Sequence, residues 1–172
     1  MSDWRIRLAQ ITDADAFHRV EEDAASLLRD EPSLAKTVVP PSSSAAEYRR
    51  IIGKGHSLAA SVEDDVVGFA SALPVRRELH LGEISVAPAH QRRGIGTALI
   101  EALAIDAANC GMSAITLNTY RDIAWNGPFY ERHGFVELQE LETRAHLRRS
   151  HEEASMLGMP RDRRCSMIRF LS

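Results

Sequence analysis

The sequence is short of cysteine, of lysine and of long apolar runs, and each shortage removes a class of protein. Its two cysteines, Cys110 and Cys165, are too few for a disulfide framework, and neither belongs to a CxxC pair. Both read as small apolar residues. No run reaches the length of a membrane-spanning helix, and the opening MSDWRIRLAQ lacks an apolar signal core, so a cytoplasmic protein is expected. Lys36 and Lys54 are the only lysines, and the net charge of −3 gives no general attraction to nucleic acid or to an anionic membrane. What remains is ordinary: 44% apolar and 26% charged residues over 172 positions suit one soluble domain spanning residues 1–172.

Periodicity and turn residues divide the chain. Residues 4–8 alternate apolar and polar, as a half-buried strand does. Thr12 or Asp13 can cap a helix through Leu28 whose apolar stripe is Phe17, Val20, Ala24, Leu27 and Leu28. Pro32, Pro40, Pro41 and a serine run make 31–44 a loop, and a short helix covers 45–52. Strands at 57–62 and 66–73 are joined by Glu63-Asp64-Asp65, a hairpin signal. A central strand at 79–86 ends before Pro88, which cannot donate to a ladder. A central helix starts at Gly94 or Ile95, runs to Asn109 and is stopped by Gly111.

Beyond it lie a strand at 114–119, a short helix capped by Asn126 and ended by Gly134, and a strand at 135–138. A polar helix at 142–157 and a strand at 165–171 complete the chain. The order βααβββαβαβαβ mixes hairpins with crossovers. It predicts an α+β fold whose mostly antiparallel sheet has a parallel part at the central strand.

The informative stretch is 79–110, a strand, a turn carrying Gln91-Arg92-Arg93-Gly94-Ile95-Gly96, and a helix. A helix N-terminus presents unpaired N–H groups and the positive end of its dipole, and glycines let a ligand approach the backbone. Two arginines add fork-shaped donors for phosphate oxygens. The turn is not a Walker loop, because no Lys-Ser/Thr pair follows the glycines. Nor is it the dinucleotide fingerprint, which has a third glycine.

This string resembles the acyl-CoA-binding motif of the GNAT superfamily of N-acetyltransferases, Q/R-x-x-G-x-G/A, at every specified position. Downstream, Phe129-Tyr130-Glu131-Arg132-His133-Gly134-Phe135 is similar to the family's FY-x-x-x-GF segment. The two motifs lie in the family's order, and the resemblance covers residues 66–136. It implies the GNAT fold, a mixed, mostly antiparallel sheet of about seven strands with helices on both faces, in a single acetyltransferase domain. It implies acetyl-CoA as cosubstrate, no metal, and an amine acceptor on a small molecule or peptide. Because many relatives dimerise, a homodimer is compatible with it.

The resemblance also carries residue roles. Gln91, Arg92, Arg93, Gly94, Ile95, Gly96 and Thr97 would hold the CoA pyrophosphate. Ile84, Ser85 and Val86 would lie along the pantetheine arm, with Asn126 and Phe129 nearby. Relatives commonly carry Asn-x-x-Ala before FY; here those positions hold Ile123 and Asn126, so the asparagine is displaced by three residues and also suits a helix cap. An alkyl amine has a pKa near ~10 and must lose a proton before attack. A carboxylate can take it, and Glu83, three residues before Val86, is the candidate base, against a structural ion pair on the sheet face. Tyr130 is the candidate acid for the leaving thiolate.

Alternation along the strand puts His80 on the side opposite Glu83. His133 reads as a solvated helix end. Asn118 stands where some protein N-terminal acetyltransferases carry a glutamate, and it is a poor base. For the acceptor, Glu21, Glu22 and Asp23 can attract a cationic amine, and Trp125 and Tyr120 either line a pocket or pack in the core. The arginines within 144–149 and 161–164 read as helix faces among acidic residues. A catalytically silent CoA-binding regulatory module is the alternative function, and a binder of another nucleotide phosphate a third.

Overall fold

The computed structural model describes residues 2–172. Strands β1 (Trp4–Leu8), β2 (Leu58–Val62), β3 (Asp65–Val75), β4 (Glu78–Val86), β5 (Ala114–Tyr120), β6 (Val136–Leu138) and β7 (Arg164–Phe170) form one sheet in the order β1-β2-β3-β4-β5-β7-β6. All neighbours are antiparallel except β4 and β5. That pair is parallel because helix α3 (Ile95–Asn109) carries the chain back across the sheet between them. The other helices are α1 (Ala14–Arg29), α2 (Ala45–Ile52), α4 (Gly127–Arg132) and α5 (Ala145–Met156). Among the described residues, no helix is long and apolar enough to cross a membrane.

Both faces are covered, as the pattern of the strands requires. Leu79, Leu81, Ile115 and Leu117 pack against Leu99, Leu103 and Phe135 on the α3 side. On the other face Phe17 from α1 stacks on Phe69 of β3 at 4.2 Å, and Tyr48 from α2 meets both rings edge-on at 5.5 and 5.2 Å. Burying a ring such as Phe17 contributes roughly 1.5–3 kcal/mol, which fixes α1 and α2 on the sheet beside β4. Helix α5 covers β5 on that same face, tied down by the ion pair of Arg144 with Glu78 of β4 at 2.7 Å.

Two local features depart from the expected elements. Strands β3 and β4 run on to a tight turn at Arg76-Arg77, with Arg76 at φ 56°; an arginine pair carries no turn signal, so both strands are longer than their sequence pattern predicts. The pairing of β3 with β4 also slips between Ser71 and Ala72, leaving Gly82 as an extra residue in β4. A bulge of this kind reverses the alternation beyond it. Leu79 and Leu81 before it, and Ile84 and Val86 after it, all face the α3 side. His80 and Glu83 therefore share the opposite face, contrary to simple alternation.

Candidate active site

Strands β4 and β5 pair only over Glu78–His80 and Ala114–Thr116. Beyond that point they part, and a cleft of about 1070 Å³ opens between Leu81–Val86 and Leu117–Tyr120. The β5-facing backbone groups of Ile84, Ser85 and Val86 thus have no strand partner, and an extended ligand can take them as a strand would. The cleft continues from the start of α3 at one end to α1, α5 and the start of β7 at the other.

The first end is made of backbone. Arg92 at φ 59° and Gly94 at φ 82° bend the turn so that α3 begins directly below it. Gly94 occupies the N-cap position, and no side chain caps the helix. Its first amides are left for an anion. Arg92, Gly94, Ile95, Gly96 and Thr97 all line the cleft there. Gln91 lines it too, but its amide donates to the Val86 carbonyl at 2.9 Å, bracing the turn against the end of β4. Arg93 is turned away: it pairs with Asp3 and meets His90 at 3.1 Å.

Helix α4 closes the same end. Phe129 packs 3.5 Å from where a Cβ on Gly96 would lie. Asn126 stands at the N-cap position without capping the helix. Its side-chain oxygen accepts instead from the Thr119 hydroxyl at 2.7 Å, joining β5 to the start of α4 at the cleft wall. The chain turns there so tightly that a Cβ on Gly127 would sit 2.5 Å from the Arg121 carbonyl oxygen, so only glycine fits. His133 is not a solvated helix end. It lies between Phe129, at 4.8 Å, and the side chains of Thr97 and Glu101, at 3.3 and 3.5 Å.

The middle of the cleft holds Glu83 and Tyr130. Burial, reinforced by the negative charge of Glu21, pushes the Glu83 carboxyl up to about 8. The Ser85 hydroxyl donates to it at 2.8 Å and keeps it oriented. Burial and the charge of Glu83 also raise the Tyr130 phenol above its ordinary value, so it keeps its proton across the working range of pH. Among the described residues, no hydrogen bond engages the Tyr130 hydroxyl, which is free to donate into the cleft. His80, by contrast, is pushed down to about 4 by burial and held against Thr116 and His146, away from this pair.

The far end is assembled from side chains. Of the acidic run in α1, Glu21 alone lines the cleft. It accepts from the Tyr48 hydroxyl at 2.5 Å and from the Ser43 amide at 2.9 Å, which pins the loop before α2 to α1. Burial raises its pKa. Trp125 and Tyr120 belong to the wall. Of the arginines read as surface charge, Arg144 and Arg163 do form ion pairs, with Glu78 and Asp122.

Arg164 does not follow them. It lines the cleft, its Nε is buried without a hydrogen-bond partner, and among the described residues it makes no ion pair. Its guanidinium carbon lies 5.2 Å from the ring centre of Tyr120, its cross-strand neighbour. Holding a guanidinium in such a place costs several kcal/mol, of which a cation–π contact returns about 0.5–2 kcal/mol. No sequence signal distinguishes Arg164 from Arg161 or Arg163. Outside the cleft, His56, Asp106 and Cys110 bring potential ligand atoms within 4.8 Å of one another; His56 and Asp106 themselves meet at 3.4 Å.

A helix start with uncapped amides, a split strand pair leading from it, and a carboxyl and a phenol at its middle suit a long phosphate-tailed thioester. The family model described as the acetyltransferase (GNAT) family matches residues 22–135. The chain belongs to that family. It is an acyltransferase with acetyl-CoA as cosubstrate, and uncapped amides, Arg92 and an unpaired strand edge fit that molecule.

Solved structures share the fold over almost the whole chain. Ard1 from Thermoplasma volcanium is 19% identical with a TM-score of 0.71, covering 99% of each chain. The PaiA N-acetyltransferase from Thermoplasma acidophilum, in complex with coenzyme A, is 14% identical with a TM-score of 0.69, again over 99% of each. The ribosomal-protein-S18-alanine N-acetyltransferase from Escherichia coli is 20% identical with a TM-score of 0.69, over 98% of this chain and 94% of that one.

Proposed function

We propose that residues 1–172 act as one acetyltransferase domain in which Glu83 is the general base and Tyr130 the general acid. The amides of Ile95, Gly96 and Thr97, with Arg92, take the pyrophosphate, and the pantetheine arm lies along Ile84, Ser85 and Val86. The acceptor amine enters from the opposite end, between Glu21 and Tyr120. Its nitrogen bonds to the acetyl carbon as the carbon–sulfur bond breaks. The amine proton passes to the Glu83 carboxylate, directly or through water, and Tyr130 supplies a proton to the departing sulfur. The products are the acetamide and CoA.

The observation that carries this reading is the pairing of a carboxyl raised to about 8 with a phenol that stays protonated, both on the wall of one cleft. Two titrating groups pushed to different values by their surroundings divide the base and acid roles between them. A panel of primary amines supplied with acetyl-CoA tests it by CoA release. Glu83→Gln and Tyr130→Phe should lower kcat while leaving CoA binding intact. Unchanged turnover in both variants would remove these roles.

A further inference from the structure

The far end of the cleft contains a charge pattern that the transfer chemistry alone does not require. Glu21 and Glu83 stand on the α1 and β4 side, and Arg164 on the β7 side. The two carboxylates already have donors, from Tyr48 and Ser43 for Glu21 and from Ser85 for Glu83. Among the described residues the guanidinium of Arg164 has no counter-charge bonded to it, and Glu153, exposed on α5 along the same cleft, makes no ion pair with it. Arg164 is half-buried with its Nε shut off from solvent, and a cation so placed without an anion is a site for one.

CoA does not supply that anion. Its phosphates belong at the α3 turn, at the opposite end of the cleft, and the pantetheine arm that crosses the middle is uncharged. The anion must arrive with the acceptor. We propose that Arg164 receives a carboxylate of the acceptor, which makes the acceptor a small zwitterion, a primary amine carrying a carboxylate, of the amino-acid class. The ammonium end faces Glu21 and Glu83, and the carboxylate faces Arg164 with Tyr120 beneath it. Glu83 on β4 and Arg164 on β7 line the same cleft, so amine and carboxylate belong to one molecule small enough to lie between them. Arg164 is here a specificity-determining residue, and the inference rests on the transfer reading above.

The test uses the full chain saturated with CoA, a panel of N-acetyl amino acids and the matching N-acetyl carboxamides, with melting temperature as the readout. At least one acid should raise the melting temperature while its carboxamide does not. Arg164→Gln should abolish the shift, and Arg164→Lys should keep part of it. Without an acid present, Arg164→Gln should bind CoA normally and melt at or above the parent, because the charge removed had no counter-charge. Equal shifts by acid and carboxamide, no shift by any acid, or a full shift in Arg164→Gln would each overturn the proposal. With the corresponding free amines, kcat/KM should favour the amino acid over its amide on the order of a hundredfold, since a site built around a polar partner rejects the analogue lacking it. Acid binding that depends on Arg164, without CoA release from any amine, would sink the transfer reading and leave the carboxylate site standing. Turnover indifferent to the carboxylate would do the reverse.

Discussion

The two ends of the cleft are built on opposite principles. The proposed donor end is a turn and a helix start, lined by Gln91, Arg92, Gly94, Ile95, Gly96 and Thr97, all near neighbours in the chain. The proposed acceptor end draws single side chains from α1, the loop before α2, β5, α5 and β7, from Glu21 near the start of the chain to Arg164 near its end. Backbone sites tolerate change in neighbouring side chains as long as the turn holds its shape. A site made of side chains alters with each substitution, so one scaffold can keep a common donor while the acceptor differs. Glu83 and Tyr130 sit where the two ends meet.

The comparison can be broken first at the junction. Glu83→Gln should lower kcat by about 10²–10⁴, the range of general-base catalysis, with the dissociation constant for CoA unchanged. In the parent, kcat with a saturating amine should rise with pH through about 8 as Glu83 loses its proton, and that rise should vanish in the variant. Tyr130→Phe should cost less, about 10²-fold in kcat, again without weakening CoA.

Substitutions confined to one end sharpen the contrast. Gly94→Ala meets no neighbouring atom, but its φ of 82° charges a Cβ roughly 1–2 kcal/mol of strain. KM for acetyl-CoA should rise about tenfold while that for the amine stays put. Tyr48→Phe removes the hydrogen bond that orients Glu21, about 1 kcal/mol. It should raise KM for the amine a few-fold and leave acetyl-CoA unaffected. If either variant moves both constants together, the ends are not independent.

A separate effect falls on stability. The unfolded Glu83 carboxyl ionises near its ordinary 4.5, whereas the folded one holds its proton to about 8. Between those values the folded state binds more protons, so the stability this group contributes declines as pH rises from 4.5 and is lost through 8. Melting curves of Glu83→Gln should therefore gain on the parent toward alkaline pH.

What was legible in the chain was what depends on neighbours in sequence. The alternation of 4–8, the hairpin at Glu63-Asp64, the glycine turn before α3 and the Phe129-Tyr130 segment all act over a few residues, and the elements formed there. What the pattern did not show is where a contact from elsewhere in the chain takes up a side chain. Asn126 occupies a cap position, yet Thr119 takes its side chain; His133 ends a helix, yet α3 covers it. Gln91 fits the motif and spends its amide on Val86, and Arg93 fits it and pairs with Asp3. Gly82 carries no sign that it is the extra residue in β4, because a bulge exists only relative to the partner strand.

By itself, then, the sequence determined the element order, the anion-binding turn and with it the acetyl-CoA donor, since these rest on short-range backbone geometry. Tertiary structure decided how far β4 and β5 stay together, and so where the cleft opens. It also decided which carboxylate is buried enough to have its pKa raised to about 8, and which of many arginines lines the cleft without an ion-pair partner among the described residues. Burial and unpaired charge are properties of a place in the fold. Glu83 and Arg164 acquire theirs only when strands far apart in the chain come to lie on one face of the sheet.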